Sequence, residues 1–264
     1  MSNSGVENLF PAGARIERIF TAPELNSGAV LPSGWDAPGM HLCKQRSYGR
    51  AVRGNGVFLK EYIYTSWFRR LRRTLSEPRP FIALAAARRM HELGVPTPEV
   101  LAAVRTRRPG EIRDLLVTRE LPDDVCYGDK LVRCLTGAEL LIDELTPVVA
   151  KLHRGGVRHG DLSLRNWYRD ASGAWGLIDL DGAAVGPVSA FWRRRELARL
   201  VGDAFCSLLR DGGTAAELDE LTGRFLGAYV AAGGEAISRR WLFVRTRKLV
   251  NRYRRKYFHT GKLR

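Results

Sequence analysis

Residues 159–182 read HGDLSLRNWYRDASGAWGLIDLDG. Asp161, Asn166, Asp179 and Asp181 stand here beside two apolar runs, NWY and AWGLIDL, separated by the turn-forming RDASG. Two short strands joined by a turn are predicted. Such a hairpin starts one strand at Asn166 and brings Asp179 to the end of the other, so both fold back toward one rim beside Asp161. Oxygen donors gathered in this way suit Mg²⁺, a hard cation that takes carboxylate and carbonyl ligands, keeps several waters and is shared with nucleotide phosphates. A carboxylate beside it can orient or deprotonate an attacking hydroxyl. The plainer reading is a turn-rich hairpin with polar strand ends.

Upstream, TGAELLIDELTPVVAKLHRGG (136–156) carries Leu140, Leu141, Leu145, Val148, Val149 and Leu152 on one broad face, and two glycines end it. Further back, Asn55 and Gly56 form a two-residue hairpin signal, because both residue types tolerate positive φ. Strands are therefore predicted over 48–53 and 57–62, with Lys60 near the end of the second. TSWFRRLRRTL (65–75) places Trp67, Phe68, Leu71 and Leu75 at helical spacing among four arginines, and FIALAAARRMHELG (81–94) reads as a stronger helix stopped by Gly94. VPTPEVLAAV and DLLVTREL read as two more strands around the basic turn RTRRPGEI. Residues 1–40, rich in Gly, Pro, Ser and Ala, read as an irregular leader with one short strand near 15–21.

The order is a small strand-rich part with one main helix, then a larger helical part, which is an α+β, two-lobed reading. The expected division is a leader over 1–40, an N-lobe over 41–121 and a C-lobe over 122–264 with a basic terminal helix. The 264 residues, 45% of them hydrophobic, suffice for one large domain or two small lobes.

The formal net charge is +15 with a pI near 10.2, which predicts attraction to polyanions. Residues 239–264 hold eleven Lys or Arg and no acid, with Trp241, Phe243, Tyr253, Tyr257 and Phe258 interleaved. With the cluster at 69–73 beside Trp67 and Phe68, this pattern suits an anionic membrane surface and also RNA; a phosphoryl-transfer site at 159–182 would favour the membrane or an anionic glycolipid over nucleic acid. The four cysteines, Cys43, Cys126, Cys134 and Cys206, lack metal or redox spacing and read as reduced thiols. No apolar window is long enough to span a bilayer, and MSNSGVENLF lacks the plan of a signal peptide, so a cytoplasmic location is expected.

The stretch from His159 to Gly182 resembles the catalytic loop and metal-binding segment of the protein-kinase-like superfamily: His-x-Asp, then Asn five residues after the Asp, then a DFG-type Asp. The resemblance implies a two-lobed protein-kinase-like fold with ATP and Mg²⁺ between the lobes. It makes Asp161 the catalytic base, gives Mg²⁺ to Asn166 and Asp179, and sets Lys60 of VFLKEY on the nucleotide phosphates. Adenine is expected at backbone groups of Glu120 and Leu121, where VTREL ends. More narrowly, VFLKEY, MHELGVPTPEVL, LVTREL, LHRGGVRHGDL, LIDLDGA and WLFVRTRKLVNRYRRKYF resemble the lipopolysaccharide core kinases, which phosphorylate Kdo or heptose of the inner core. That implies an anionic glycolipid or sugar as acceptor, met at the inner face of the inner membrane.

The chain departs from the pattern twice. SYGRAVRGNG contains no G-x-G-x-x-G, which leaves Gly49, Arg46 and Arg50 as candidate phosphate contacts. Ala83 stands where the family places a Glu partner for Lys60, and Glu77, just before the helix, is the substitute on offer. Two alternatives are a small-molecule kinase of the aminoglycoside or choline type and a non-catalytic pseudokinase that binds polyanions.

Overall fold

Asn55 and Gly56 adopt φ of 53° and 76°, the paired positive values that a tight two-residue hairpin turn needs. They turn β3 (Gly49–Gly54) into β4 (Val57–Tyr64). The computed structural model describes residues 9–23, 35–122, 125–128, 138–209 and 213–258. Its contacts divide the chain into two compact units, one of Met1–Ala87 with Pro98–Asp123 and one of Arg88–Thr97 with Asp124–Arg264.

In the first unit the hairpin lies within a six-stranded antiparallel sheet with β1 (Arg15–Thr21), β2 (His41–Arg46), β5 (Val100–Arg108) and β6 (Glu111–Arg119), in the order β1-β5-β6-β4-β3-β2. Successive side chains alternate across a strand. Val57 and Leu59 therefore enter a core with Leu9, Trp35, Val52, Leu101, Val104, Leu115 and Val117, and Lys60, Tyr62 and Tyr64 share the opposite face. Parts of the stretch read as a leader thus belong to this unit: β1 pairs with β5, and the buried Trp35 donates its Nε1–H to Leu9 O at 3.0 Å. Residues 1–8 and 24–34 of that stretch lie outside the described residues. Two helices follow β4, namely α1 (Trp67–Thr74) and α2 (Arg79–Glu92). Gly94, at φ 61°, closes α2 and donates to His91 O, while Val95 donates to Met90 O.

The second unit holds α3 (Ala138–Arg154), α4 (Ala190–Leu209), α5 (Ala215–Ala231) and α6 (Arg239–Tyr253). Leu145, Val149 and Leu152 of α3 are buried with Leu197, Val201 and Phe205 of α4 and Phe225 and Tyr229 of α5; the side chains of Leu140 and Leu141 lie outside the described set. Short strands carry the loops between α3 and α4: β8 (Val157–Arg158) with β11 (Ala184–Val185), and β9 (Trp167–Arg169) between β10 (Trp175–Leu177) and β7 (Cys126–Tyr127). The expected hairpin after Asn166 is β9–β10. The C-terminal basic segment is a packed helix: α6 buries Leu242, Thr246 and Val250, and a Cβ at Gly202 of α4 would stand only 3.6 Å from Thr246. Cys43 and Cys206 are free thiols; Cys134 and the side chain of Cys126 lie outside the described set. No helix among the described residues is long and apolar enough to cross a membrane.

Candidate active site

The His-Gly-Asp loop and the Ile-Asp-Leu-Asp-Gly segment interlock within the second unit. Gly160 has φ 93°, and a Cβ there would stand 2.3 Å from Gly182 O, so only glycine lets the two backbones approach. His159 is buried. Its Nδ1 accepts from the Asp161 N–H at 3.3 Å and its Nε2 lies 3.0 Å from Ile178 O. A carbonyl only accepts, so the ring is neutral with its proton on Nε2. His159 therefore braces the loop, and its proton is committed to structure. The Ile178 N–H donates to Asn166 O at 2.9 Å, a third tie.

These ties place the polar side chains. Asn166, buried, donates Nδ2–H to Asp161 O at 2.9 Å, which leaves its Oδ1 as the acceptor. Asp179 is exposed and left-handed, φ 65° and ψ 57°. That backbone costs a non-glycine residue about 1–2 kcal/mol, and such strain gathers at functional sites. Asp181 is half-buried within the short 3-10 turn that follows. Among the described residues no group of three or more His, Cys, Asp or Glu could hold a metal. One carboxamide oxygen and one carboxylate fit the lean protein ligand set of Mg²⁺, whose other ligands are waters and substrate phosphates.

The Asp161 carboxylate has an arginine on each oxygen. Arg199 Nε donates to Oδ1 at 2.9 Å and an Arg165 terminal nitrogen to Oδ2 at 3.3 Å. Arg199 belongs to a row on α4. Glu196 accepts the Gly160 N–H on Oε1, and Asp203 accepts the Leu164 N–H on Oδ2 at 2.8 Å. Glu196 Oε2 lies 2.9 Å from His153 Nε2, and His153 Nδ1 lies 2.9 Å from the Tyr229 hydroxyl. Burial pushes the Asp203 carboxyl up and the Asp161 charge adds to this, while the Leu164 N–H and Arg199 pull it down. Sequence reasoning missed this row. Its signal is present, though: Glu196, Arg199 and Asp203 at i, i+3 and i+7 share one face of a helix that is otherwise apolar there. His153 reads in the sequence as an ordinary helix-end residue; the structure buries it.

HELGVPTP also gains a physical role in this unit. Arg89 donates to Gly155 O at 2.9 Å, Thr97 Oγ1 donates to Leu177 O at 2.8 Å, and the Leu177 N–H donates to Pro96 O at 3.0 Å. The segment clips β10 in place two residues before Asp179.

Lys60, Glu120 and Leu121 belong to the first unit. Lys60 lies on β4 opposite Ala51 and Leu116, with Nζ 5.5 Å from the Tyr62 ring centroid. The Glu120 N–H is donated to Gly56 O at 2.9 Å. The substitute partner offered by the sequence is engaged elsewhere. Glu77 bonds Arg18 at 2.6 Å, and Ala83 is buried in α2. Arg50 bonds the buried Glu61 at 2.9 Å and stacks 3.8 Å over Trp35, while Arg46 bonds the Tyr48 hydroxyl. Arg50 is thus held by the sheet rather than presented to phosphate.

Comparison with known proteins adds relatives. A 3-deoxy-D-manno-octulosonic acid kinase of Xanthomonas campestris pv. campestris (strain B100) is 30% identical over 75% of this chain and 75% of its own. Its counterpart in Xylella fastidiosa (strain M12) is 32% identical over 43% of this chain, and the match spans 46% of that protein's length. Among solved structures, WaaP in complex with acyl carrier protein superposes with a TM-score of 0.55 at 22% identity, covering 79% of this chain and 88% of that one. A glucosamine kinase superposes at 0.52 with 12% identity, covering 85% and 78%. At these identities the two structures bear on fold, and both are kinase-like. The family model described as lipopolysaccharide kinase (Kdo/WaaP) matches residues 50–223, a span that holds Lys60, both interlocked loops and the α4 row. By that match the chain belongs to the lipopolysaccharide kinase (Kdo/WaaP) family.

Proposed function

We propose that the chain is an ATP- and Mg²⁺-dependent kinase that transfers the γ-phosphoryl group to a hydroxyl of Kdo or heptose in the lipopolysaccharide inner core, at the cytoplasmic face of the inner membrane. The observation that carries this reading is the Asp161 carboxylate, fixed by Arg199 and Arg165 in a loop interlocked with the segment bearing Asp179. Asp161 orients the acceptor hydroxyl and takes its proton as the new P–O bond forms and the bond to the leaving diphosphate breaks. Asn166 Oδ1 and Asp179 would hold Mg²⁺, which supplies charge neutralisation at the phosphates when bound. Lys60 anchors the nucleotide phosphates, and Glu120 O with Leu121 N–H receives the adenine edge. Positioning and charge stabilisation carry the rate, since phosphoryl transfer asks little covalent chemistry of the protein. The similarity to 3-deoxy-D-manno-octulosonic acid kinases favours Kdo as the acceptor sugar.

The test is phosphate transfer from ATP to a Kdo-bearing core glycolipid, followed by mass spectrometry of the product. Asp161→Asn is expected to lower kcat by about 10²–10⁴-fold with KM for ATP little changed. Retained turnover in that variant overturns the role given to Asp161.

One observation favours a second reading, a non-catalytic relative. Ala83 offers no carboxylate, and Glu77 is committed to Arg18. Absence of nucleotide binding and of turnover on every lipid-linked and free sugar would decide for it.

A further inference from the structure

α1 buries none of its side chains. Trp67, Phe68, Leu71 and the capping Leu75 are exposed by 69%, 61%, 53% and 81%. At about 100° per residue these four fall in one arc of about 100°. The other side of the helix supplies Arg69, Arg72 and Arg73 to a cavity of about 260 Å³, whose wall also holds Tyr62, Tyr64 and Arg79. All of this lies in the first unit.

The cavity is built for an anion. No described carboxylate forms an ion pair with Arg69, Arg72, Arg73 or Arg79; the nearby Asp114 is taken by both arms of Arg105, at 2.7 and 2.8 Å. Tyr64, 7% exposed, has a buried hydroxyl with no hydrogen-bond partner among the described residues. A buried hydroxyl without a partner is costly. Burial raises its pKa to about 12, so it remains a donor at neutral pH. Burial also works against the charge on Arg73, and the like charges of Arg79 and Arg72 add to this. Arg73 lies 5.4 Å over the Tyr64 ring and Arg79 5.0 Å over that of Tyr62, so the guanidinium groups are held in place without a counter-charge.

We propose that α1 docks the chain on a bilayer, with Trp67, Phe68, Leu71 and Leu75 entering the acyl boundary and the arginine–tyrosine cavity taking the phosphate of an anionic phospholipid headgroup. The two halves match in scale. A helix is about 10 Å across, and an interfacial helix sinks about 5–10 Å, so an apolar arc on one side leaves the other at headgroup depth. The C-terminal helix is the weaker candidate for this contact. The rings of Trp241 and Tyr253 lie under Arg194 and Arg199, at 5.3 and 5.2 Å, and both residues are half-buried. The proposal deepens the acceptor reading above and rests on it for the choice of a lipid surface, and vesicle binding without ATP separates the two.

The test is co-sedimentation of the full chain with vesicles of phosphatidylcholine alone, or with about a third phosphatidylglycerol. The chain should partition onto the anionic vesicles only. Trp67→Ser with Phe68→Ser and Leu71→Ser, and separately Arg72→Gln with Arg73→Gln, should each lower partitioning about tenfold or more. Tyr64→Phe should lower it about threefold. The α1 variants should melt like the parent, because the helix buries none of its side chains. Equal binding by the apolar triple variant overturns the proposal and leaves only the general positive charge. Pyrophosphate that raises the melting temperature of the parent but not of the arginine variant, with vesicle binding unaffected by either set of changes, overturns it in favour of a free-anion site.

Discussion

In the proposed reaction Asp161 receives the acceptor hydroxyl's proton, and its two arginines constrain how it could do so. A carboxylate with a guanidinium on each oxygen is held in one rotamer. In the proposed transfer it would orient the hydroxyl and take its proton as the oxygen bonds to phosphorus. Arg199 is then a positioning residue. Arg199→Gln should lower kcat about tenfold or more with KM for ATP unchanged, and Arg199→Lys should restore part of it, because lysine keeps the charge and loses the fork. A fall in ATP affinity with kcat preserved would instead give Arg199 a place in nucleotide binding. Asp203 allows a prediction with a sign. Its folded carboxyl is raised, chiefly by burial, so the native chain holds that proton more tightly than the unfolded one. As pH rises from about 4 through the raised value, this group loses stability for the fold. Asn at 203 cannot titrate and can still accept the Leu164 N–H. The stability of Asp203→Asn relative to the parent should therefore climb with pH across that window and then level off, as read by melting temperatures at pH 4 and pH 7. A difference constant with pH would reject the burial argument.

At the scale of elements, α4 acts as a rail for the His-Gly-Asp loop, with Glu196, Arg199 and Asp203 gripping Gly160, Asp161 and Leu164 in sequence order. Glu196 has two tasks, the Gly160 N–H and His153. Glu196→Ala leaves the Gly160 N–H and His153 Nε2 without a partner and should cost about 1–3 kcal/mol for each buried group, together with most of the activity. Glu196→Gln keeps an acceptor for the N–H and should retain more of both, measured by urea unfolding and turnover in parallel. What the sequence made legible follows from locality. Asn55 and Gly56 need only each other to form their turn, and Asp161, Asn166 and Asp179 sit on one loop and hairpin, so spacing along the chain already implies proximity. The α4 row lies some 36–39 positions beyond the loop it holds, and no local pattern announces such a contact. Leu9 and Trp35 escaped for another reason: they are single buried anchors in a stretch without periodicity. The Arg88–Thr97 segment belongs to the second unit although it continues a helix begun in the first, a division made by the bonds of Pro96 and Thr97 to β10 that hydropathy does not reveal.

For the whole molecule the dominant number is the charge of +15. Part of it is spent internally: Arg105 on Asp114, Arg113 on Glu61 and Glu111, Arg239 on Asp219. Those pairs are short and salt barely reaches the buried ones, so they give structure and little long-range field. The arginines of α1 are of the other kind, without ion pairs among the described residues, and on the proposed docking they face the anionic surface. Exposed charges act over the Debye length, which shrinks from about 14 Å near 0.05 M salt to about 4 Å near 0.5 M. Raising salt across that range should lower kcat/KM for a membrane-borne anionic acceptor about tenfold or more through KM, with kcat nearly constant, because the arginines on Asp161 are in direct hydrogen-bonded contact with it, well inside the Debye length. Arg72→Gln with Arg73→Gln should flatten this salt slope, since it removes the charges that salt would screen. A kcat that falls with salt while KM stays fixed would place the screened charges in the phosphoryl-transfer step itself, and the arginines on Asp161 would then be the ones to test.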